Sequence, residues 1–505
     1  MAVGSALPRS GRRFGPADIA ALAAGLALPF AFAPWNYWPL ALISPAVLFL
    51  AWRGATPRRA ARLGWGYGFA AFLTGTWWTF VSVREFGGAP LALAAFLTFG
   101  LAAIMGVYYA LLGWLGARWL PAGGAARWLV ALPAGWLAVE WLRGWFLSGF
   151  PWLSLGYSQT DSVLGALAPL GGVYGLSWVC ALGAGALAAV LVEGLAGRAL
   201  AVATLFVVFA AAGHAGGKSW TAPVGEPLRA VMVQGAIGQD EKWLEASLEP
   251  TRQLYLDMTR PHWGADLVIW PEAAIPALLH LEMDFIEALD EEARAAGSEI
   301  LLGILERDRQ SGQYYNVLVS LGGQPEIYRK RQLVPFGEYF PVPAFVRRWM
   351  RLMNLPYTDF APGRADPPPM TLAGVKVAPT ICYEDAFGAQ QRVFFPAAEL
   401  LVNVSNDAWF GDTRAPHQHL QIARMRAMET GRWMLRATNN GVTAVIDPRG
   451  RVTQRSRQFV AEVIEAEVPP MTGLTPWLRY GDGPLAAVAL GLFLLGTLRR
   501  NTAGR

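Results

Sequence analysis

The chain has 505 residues, of which 54% are hydrophobic and 16% are charged, and its mean hydropathy is +0.30. Soluble domains have about a quarter of their residues charged, so this composition excludes an ordinary soluble protein. The net charge of +5 does not indicate a nucleic-acid partner, because the surplus arginines lie in short clusters beside apolar segments, where positive charge orients membrane proteins.

Seven apolar segments precede residue 216, and an eighth lies near the end of the chain. A membrane-spanning helix needs about 20 residues, and the second, seventh and eighth segments are shorter than that. From the pattern as a whole we predict an α-helical membrane bundle of about eight transmembrane helices. The predicted segments are 17–34, 39–52, 63–83, 89–117, 127–147, 162–192, 199–213 and 484–498.

Arginine clusters distinguish the loops on the two sides of the predicted bundle. They occur before the first segment, at 53–62 between the second and third, at 118–127 between the fourth and fifth, and after the eighth. The alternate loops hold almost no arginine or lysine. Since positively charged loops remain in the cytoplasm, we predict that both termini are cytoplasmic. Residues from 214 to 483 are then expected outside, in the periplasm of a bacterium.

Residues 228–468 alternate between strand and helix patterns, which is typical of a layered α/β domain with covered sheets. Short β-branched runs predict the strands, and helical patterns separate several of them. The sequence contains no glycine-rich phosphate loop, and we expect no cofactor. The predicted strands are 229–234, 266–270, 299–304, 315–320, 376–381, 400–404 and 442–447, and the predicted helices are 240–260, 282–297 and 414–434.

The sequence indicates neither a disulfide nor a metal site. Cys180 lies inside an apolar segment and Cys382 in the α/β part, and these two cysteines are too few for a disulfide framework or a cysteine zinc site. His417 and His419 are two residues apart, so they do not share a helix face, and no carboxylate cluster accompanies them. We interpret both histidines as structural.

Three polar residues lie at or just after predicted strand ends, where α/β folds place reactive groups. Glu272 follows the run LVIW, Lys330 lies in YRKRQLVPFGEYFP, and Cys382 ends VAPTIC. A cysteine nucleophile needs a base to make the thiolate and a cation or amide to hold the oxyanion. Since an ammonium group stabilises a thiolate, we expect the pKa of Cys382 to lie below the usual value of about 8.5.

Each of the three residues alone also has a structural explanation. Cys382 is compatible with a small buried hydrophobe, and Glu272 with a turn residue or helix cap. Lys330, between two arginines, is compatible with a solvated basic surface. Their joint occurrence in this context favours catalysis.

The order Glu272, Lys330, Cys382 on an α/β domain resembles the Glu-Lys-Cys triad of the nitrilase superfamily. Behind seven apolar segments, the longer strings resemble the bacterial apolipoprotein N-acyltransferases over essentially the whole chain. The resemblance implies an αββα sandwich in residues 216–475, between transmembrane helices 1–7 in 1–215 and helix 8 with a cytoplasmic tail in 476–505. The strings that carry it are WPEAAIP, KRQLVPFGEYFP, ICYEDAF, VNVSNDAWFGD, PHQHLQIARMRAMETGR and RATNNGVTAVID.

A two-step acyl transfer is the chemistry that this resemblance implies. Cys382 would attack an ester of a membrane phospholipid and keep the acyl chain as a thioester. The free α-amino group of a lipoprotein's N-terminal, diacylglyceryl-modified cysteine would then accept that chain. The resemblance also implies the inner membrane as location. We expect no cofactor, metal or nucleic-acid partner, and a monomer.

The resemblance also implies a role for individual residues. Glu272 would be the general base, and Lys330 would stabilise the oxyanion, with the backbone N–H of Tyr383 as a second donor. The residues that would support the site or substrate are Glu338, Tyr383, Glu384 and Trp243.

Two alternatives differ in what happens to the acyl group. A membrane-tethered amidase or nitrilase would pass its acyl-enzyme to water, and the triad alone does not separate this from transfer to an amine. A non-catalytic lipid-binding or transport protein would not need Cys382 at all. The eight-segment setting favours a lipid donor.

Two features near the predicted membrane boundary have open interpretations. Residues 341–363 interleave apolar side chains with three arginines, as in interfacial segments, and we hypothesise a mobile arm that gates lipid entry. An ordinary surface loop is the alternative. Glu140 and Arg143 are costly in lipid unless paired or exposed to water, so they either support substrate entry or lie at the interface.

Overall fold

The computed structural model describes residues 14–339 and 359–502, with side chains up to residue 497. Each of the eight predicted apolar segments contains at least one α-helix. The helices before the α/β part are α1 (Pro16–Ala27), α2 (Leu40–Ala51), α3 (Pro57–Gly75), α4 (Trp78–Val81), α5 (Leu91–Trp119), α6 (Leu132–Arg143), α7 (Ala168–Val192) and α8 (Leu195–Gly216).

Three helical stretches within the described residues are long and apolar enough to cross a membrane. They are Leu91–Trp119, Val163–Val192 and Leu195–Gly216. The predicted helical bundle is therefore confirmed, whereas the number of eight membrane crossings stays a prediction. The shorter apolar helices are Pro16–Ala31, Leu40–Ala51 and Gly483–Thr497.

Glycines allow α3 and α5 to pack with their backbones nearly in contact. A Cβ atom added to Gly64 would lie 2.3 Å from the carbonyl oxygen of Tyr109, and one added to Gly68 would lie 2.9 Å from the Cα of Gly106. Small residues spaced four apart permit such close approach of helices in apolar surroundings. The close α3–α5 contact therefore requires glycine, which has no side chain, at these positions.

The rest of the described chain contains fourteen short strands and six further α-helices, the last of which follows the α/β part. The helices are α9 (Glu245–Thr259), α10 (Met283–Ala295), α11 (Gly388–Gln391), α12 (Ala415–Thr430), α13 (Pro476–Tyr480) and α14 (Gly483–Thr502), and the strands are β1 (Ala222–Pro223), β2 (Leu228–Gln234), β3 (Leu267–Ile269), β4 (Glu299–Arg307), β5 (Tyr314–Leu321), β6 (Ile327–Arg329), β7 (Met370–Leu372), β8 (Val375–Ile381), β9 (Leu400–Ser405), β10 (Met434–Thr438), β11 (Ala444–Ile446), β12 (Val452–Arg455), β13 (Glu462–Val468) and β14 (Met471–Thr472).

Two six-stranded sheets form the centre of this part. The first has the order β13-β2-β3-β4-β5-β6 and the second β12-β11-β10-β9-β8-β7. Buried residues of both sheets, such as Ile269 and Val402, share one hydrophobic core, so the sheets pack face to face. The first sheet is covered on its other face by α9 and α10 through Tyr255, Ile286 and Leu289. With α12 on the second sheet, the predicted layered α/β fold is confirmed.

All seven predicted strands are present, but the helix predicted at 414–434 is too long. It ends at Thr430, where Gly431 adopts a left-handed conformation with φ of +65°, the common way for a helix to end. Residue 434 instead begins β10. The strands that the sequence patterns did not predict are β1, β6, β7, β10, β12, β13 and β14.

Helix α12 lies between the second sheet and the apolar bundle, and fourteen of its sixteen residues are buried. Gln418 Oε1 accepts hydrogen bonds from the indole N–H groups of Trp78 (3.1 Å) and Trp152 (2.8 Å). Gln421 Oε1 accepts another from the backbone N–H of Ala33 (3.1 Å). Three separate parts of the bundle are therefore bonded to one helix of the sandwich.

We expect the substitution Gly64→Ala to destabilise the bundle, because its methyl group would overlap the backbone of α5. Overpacking of this kind costs about 1–3 kcal/mol, which should lower the melting temperature in detergent. Gly100→Ala is the matched control on α5, since a Cβ there meets nothing within 4 Å. Equal melting temperatures for the two variants would contradict the proposed close packing.

Candidate active site

Glu272, Lys330 and Cys382 all follow strand ends, as the sequence predicts. Glu272 lies three residues after β3, Lys330 directly after β6 and Cys382 directly after β8. The strands β3 and β6 run in the same direction, because β3 is parallel to β4 and two antiparallel pairings separate β4 from β6. Glu272 and Lys330 therefore share one edge of the first sheet. Cys382 comes from the second sheet, and its thiol interacts electrostatically with both.

Lys330 is held between two carboxylates. Its Nζ lies 3.2 Å from Glu272 Oε1 and 2.8 Å from Glu338 Oε1, and its side chain is 1% exposed. Glu272 Oε1 also accepts a hydrogen bond from Asn316 Nδ2 (2.8 Å), and its Oε2 accepts one from the backbone N–H of Asn406 (2.8 Å). The structure thus brings Glu272 and Lys330 together with Glu338, one of the predicted supporting residues.

Both members of the Glu272–Lys330 pair are charged. Burial raises the pKa of Glu272, but the Lys330 ammonium and the bonds from Asn316 and Asn406 outweigh burial and lower that pKa overall. Burial disfavours the charge on Lys330, yet Glu272 and Glu338 raise the pKa of its amine well above the ordinary value. Glu272 is therefore a carboxylate that is able to accept a proton, and Lys330 is a fixed cation.

Cys382 has an uncommon backbone conformation, with φ of +53°. Strain of this kind costs about 1–3 kcal/mol and persists only where the surroundings hold it. Cys382 begins a 3-10 helix that ends at Ala386, and the N–H groups in the first turn of a helix have no partner within it. The N–H of Tyr383 belongs to this turn, and its role as an oxyanion donor stays a prediction.

The expected low pKa of Cys382 is wrong for the resting site. Burial and the charge of Glu272 raise the pKa of the thiol well above its ordinary value, and the opposing effect of Lys330 is smaller. Glu272 and Glu338 flank Lys330, and their negative charges reduce the stabilisation that its ammonium gives a thiolate on Cys382. Cys382 is therefore a neutral thiol at rest.

Glu384 connects the loop of Lys330 to the loop of Cys382. Its buried carboxylate accepts hydrogen bonds from the backbone N–H groups of Ile381 (2.7 Å) and Arg331 (2.6 Å). Those two residues precede Cys382 and follow Lys330, so one side chain fixes the spacing of both. This contact agrees with the predicted supporting role of Glu384.

Tyr383 connects the site to the apolar bundle. Its hydroxyl donates to the carbonyl oxygen of Gly149 (3.2 Å), and its ring stacks on Trp152 with 6.4 Å between centroids. On its other side it contacts Phe387 edge to face. Part of the wall beside Cys382 is therefore formed by the segment between α6 and α7.

Trp243, the remaining predicted supporting residue, is 47% exposed and makes no hydrogen bond to the triad within the described residues. Its neighbour Lys242, which the sequence patterns did not single out, is fully buried and donates from Nζ to the carbonyl oxygen of Glu272 (3.2 Å). Burial lowers the pKa of Lys242 to about 8. The local sequence EKWLEAS contains nothing that distinguishes this buried lysine from a lysine on the surface.

Four buried charged residues form a network behind Cys382. His419 Nε2 lies 2.9 Å from Asp385 Oδ1 and 3.2 Å from the carbonyl oxygen of Cys382, and its Nδ1 lies 2.9 Å from Asp407 Oδ1. Arg436 donates to Asp407 Oδ2 (3.0 Å) and to Asp385 Oδ2 (3.3 Å). When His419 is protonated, two cations balance two carboxylates, and the histidine donates a hydrogen bond to the backbone carbonyl of Cys382.

His419 is cationic near neutral pH. Burial and Arg436 lower the pKa of its imidazole, but Asp385 and Asp407 outweigh them and raise it to about 9. Cys382 Sγ and ligand atoms of Asp407 and His419 all lie within 4.8 Å of one another, as a metal site would require. However, His419 Nδ1 already bonds to Asp407 Oδ1 and His419 Nε2 to Asp385 Oδ1, which favours the structural interpretation. The absence of a metal stays a prediction.

Glu140 and Arg143 organise the segment that follows α6. Both are fully buried. Arg143 donates to the carbonyl oxygen of Trp152 (2.6 Å), and Glu140 accepts from the backbone N–H of Leu155 (3.1 Å). Because Trp152 stacks on Tyr383, these two charged residues support one wall of the site from within the bundle.

The predicted interfacial arm at 341–363 lies outside the described residues as far as position 358. From residue 359 onward it is described, and the N–H of Phe360 donates to the carbonyl oxygen of Glu338 (2.9 Å). The N–H of Gly363 donates to the carbonyl oxygen of Lys330 (2.8 Å). The end of this segment is therefore bonded to two residues of the site, and its gating role stays a prediction.

Comparison with known proteins covers nearly the whole chain. The family model for the apolipoprotein N-acyltransferase N-terminal domain matches residues 24–186, and the model for carbon-nitrogen hydrolase matches residues 229–476. The apolipoprotein N-acyltransferase of Methylococcus capsulatus is 43% identical over 96% of both chains. That of Azotobacter vinelandii is 44% identical over 96% of this chain and 95% of its own. The solved structure of Saccharomyces cerevisiae Nit3, a member of branch 10 of the nitrilase superfamily, aligns with a TM-score of 0.38 and 17% identity over 49% of this chain and 92% of that one.

The substitution His419→Gln should destabilise the protein most at low pH. The pKa of His419 is raised from 6.5 to about 9 in the folded protein, so its stabilising effect is complete below the lower value and is lost as the pH rises through the higher one. The melting-temperature difference from wild type, measured in detergent between about pH 6 and 10, should therefore shrink as the pH rises. His417→Gln is the control, since burial lowers the pKa of His417 and this trend should be absent. A pH-independent difference for His419→Gln would contradict the ionic network.

Proposed function

The chain belongs to the apolipoprotein N-acyltransferase family, and we propose that it transfers the acyl chain through a thioester on Cys382. It is an acyltransferase whose acceptor is an apolipoprotein. The observation that carries the residue assignment is the meeting of a buried carboxylate, a buried ammonium and a thiol at adjoining edges of two sheets. We take the donor to be a membrane phospholipid and the acceptor group to be the α-amino group of an S-diacylglyceryl-cysteine.

In the first step, Cys382 Sγ attacks the ester carbonyl carbon of the phospholipid. Glu272 takes the thiol proton as the new carbon–sulfur bond forms. A free thiolate, which would be unfavourable beside the Glu272 carboxylate, therefore does not form. The resulting oxyanion is stabilised by the Lys330 ammonium and the N–H of Tyr383. The carbon–oxygen bond then breaks, Glu272 returns the proton to the departing alkoxide, and a lysophospholipid leaves.

In the second step, the lipoprotein's amine attacks the thioester carbonyl carbon. The same two donors stabilise the second oxyanion, and Glu272 accepts a proton from the attacking nitrogen. The carbon–sulfur bond breaks, and the proton passes to Cys382, which regenerates the neutral thiol. The nitrogen has then gained an amide bond to the acyl chain.

Aromatic side chains at the junction of the bundle and the sandwich, which include Tyr383 next to Cys382, support a lipid donor. Tyr383 stacks on Trp152, and Trp78 contacts Phe410 edge to face with 4.9 Å between ring centroids. Two of these rings belong to the bundle and two to the sandwich. An apolar boundary of this kind suits an acyl chain and limits the access of water, which slows hydrolysis of a thioester.

We propose the orientation that the arginines predict, with both termini in the cytoplasm and the sandwich in the periplasm, at the inner membrane. In support of it, Glu193 accepts a hydrogen bond from the N–H of Gly124 (2.8 Å), so two interhelical loops meet at the end of the bundle opposite the sandwich. The loop arginines Arg118, Arg127 and Arg198 belong to that end, as positive-inside topology requires.

We also propose the division into residues 1–215, 216–475 and 476–505. The family matches support it, because one lies within the first part and the other covers most of the second. Helix α14 then returns the chain to the bundle, where Phe493 lies against Gly135 of α6.

The variant Cys382→Ala tests the thioester. After incubation with phospholipid, intact-mass spectra of the wild type should show one acyl adduct that hydroxylamine removes, and the variant should show none. Addition of a diacylated lipopeptide should convert the adduct into an N-acylated peptide. Release of free fatty acid in place of that amide would instead indicate transfer to water, and an adduct on Cys382→Ala would exclude this nucleophile.

The variant Glu338→Gln tests the supporting carboxylate. It preserves the shape of the side chain but removes one of the two charges that hold Lys330, so thioester formation should slow by about tenfold or more. Glu306→Gln is the matched control, because Glu306 forms a comparable ion pair with Arg329 (2.7 Å) and touches no triad residue. Equal rates of adduct formation in the two variants would show that Glu338 does not position Lys330.

A further inference from the structure

A cavity of about 670 Å³, apart from the site around Cys382, lies where the end of α8 meets the sandwich. Its lining includes Gly213 and Gly216 of α8, residues 160–163, 165 and 166 before α7, and residues 447–449 and 451 of the turn between β11 and β12. None of Glu272, Lys330 and Cys382 lines it. Its volume is within the usual range for small-molecule sites, about 300–1,000 Å³. We call it the α8 cavity.

The α8 cavity exists because small residues line the facing helical turns. A Cβ atom added to Gly213 would meet nothing within 4 Å, and one added to Gly216 would only touch Ala166 at 3.7 Å. Ala212 of α8 and Gly165 line the same space. Side chains of ordinary size at these positions would fill it.

The charged side chains around the α8 cavity are predominantly cationic. Four basic and two acidic residues line it, which leaves a surplus of two positive charges. Asp161 is paired with Arg424 (2.9 Å), and Asp447 accepts hydrogen bonds from backbone N–H groups of its own turn. The basic residues that form no ion pair within the described residues are Lys218, Arg449 and Arg451.

Trp220 adds an unused hydrogen-bond donor. Its buried Nε1 has no partner among the described residues, although the residue lines the α8 cavity. The Lys218 ammonium lies 5.9 Å from the centre of its ring. A ligand with an anionic oxygen would satisfy the indole N–H and the lysine together.

The α8 cavity lies at the membrane boundary. Two of the apolar stretches long enough to cross a membrane, Val163–Val192 and Leu195–Gly216, run in opposite directions. The first begins and the second ends at residues that line this cavity. Only 11% of the most apolar stretch of α8 is buried inside the protein, and the side chain of Phe206 on this helix is 73% exposed. We therefore expect lipid acyl chains to contact α8 and lipid headgroups to lie next to the cavity.

We propose that the α8 cavity binds the phosphate headgroup of an anionic glycerophospholipid whose acyl chains lie along α8. The surplus positive charge selects against zwitterionic lipids, because their ammonium groups would be repelled. Trp220 and Lys218 would contact the phosphate from one side, and Arg449 and Arg451 from the other. The site goes beyond acyl transfer, since it uses none of the residues assigned to that reaction.

Native mass spectrometry of the delipidated full-length protein tests the site. In detergent, the wild type should bind phosphatidylglycerol at least about tenfold more tightly than phosphatidylcholine of equal chain length. A triple variant should lose this preference, whereas a matched variant lacking three exposed charges elsewhere on the sandwich should keep it. The triple variant is Lys218→Gln, Arg449→Gln, Arg451→Gln, and the matched variant is Arg309→Gln, Arg364→Gln, Lys376→Gln.

Several results would overturn the proposal. One is equal lipid preference in the triple and matched variants, provided that both unfold at the wild-type temperature. Another is displacement of the lipid by an equal concentration of inorganic phosphate or glycerophosphoglycerol, since the ligand would then be a free phosphate.

Discussion

Hydrogen bonds from one buried helix, Ala415–Thr430, determine how the catalytic sandwich sits against the apolar bundle. A buried polar group left without a partner costs about 1–3 kcal/mol, so Gln418 and Gln421 allow few alternative ways of docking. These residues are three apart and face the bundle together, whereas His419 between them reaches the carbonyl of Cys382. Sliding the helix would therefore leave the glutamines without hydrogen-bond partners and displace Cys382 at the same time. The contacts of this one helix therefore fix both the docking of the sandwich on the bundle and the position of Cys382.

The ionic arrangement around Lys330 explains why Cys382 rests as a thiol. Two carboxylates compensate the single ammonium, so the stabilisation that Lys330 offers a thiolate is smaller than the opposing effects of burial and Glu272. Since the thiolate is the form that reacts with oxidants and electrophiles, a neutral thiol is protected from them. The local sequence context, with a lysine and a cysteine at strand ends, predicts their proximity. The compensation by Glu338 depends on three-dimensional distances that the sequence does not contain.

The sequence predicts best what local pattern determines. The apolar runs and β-branched runs locate every segment of the bundle and seven strands, and the motifs locate Glu272, Lys330 and Cys382. Strands that contain polar residues are not predicted by such patterns. One of them is β10, which carries Arg436, and this arginine is buried only because Asp385 and Asp407 pair with it. For the same reason Lys242 gave no signal and His419 could be interpreted only as structural, because the burial of both residues is a tertiary property. The alternating charges of β13, EVIEAEV, are a period-two pattern typical of a half-exposed strand, although β13 is not among the predicted strands.

The sandwich alone does not complete the site. One face of Tyr383 is covered by Trp152, whose carbonyl is held by Arg143 and whose indole is held by Gln418. Burying Arg143 inside the bundle is costly unless its donors are satisfied, and the carbonyls of the segment after α6 satisfy them. The charge therefore fixes the shape of a segment that forms the wall beside Cys382. In the proposed reaction the acyl chain contacts this wall, so changes in the bundle should alter which acyl chains the enzyme accepts even when Glu272, Lys330 and Cys382 are untouched.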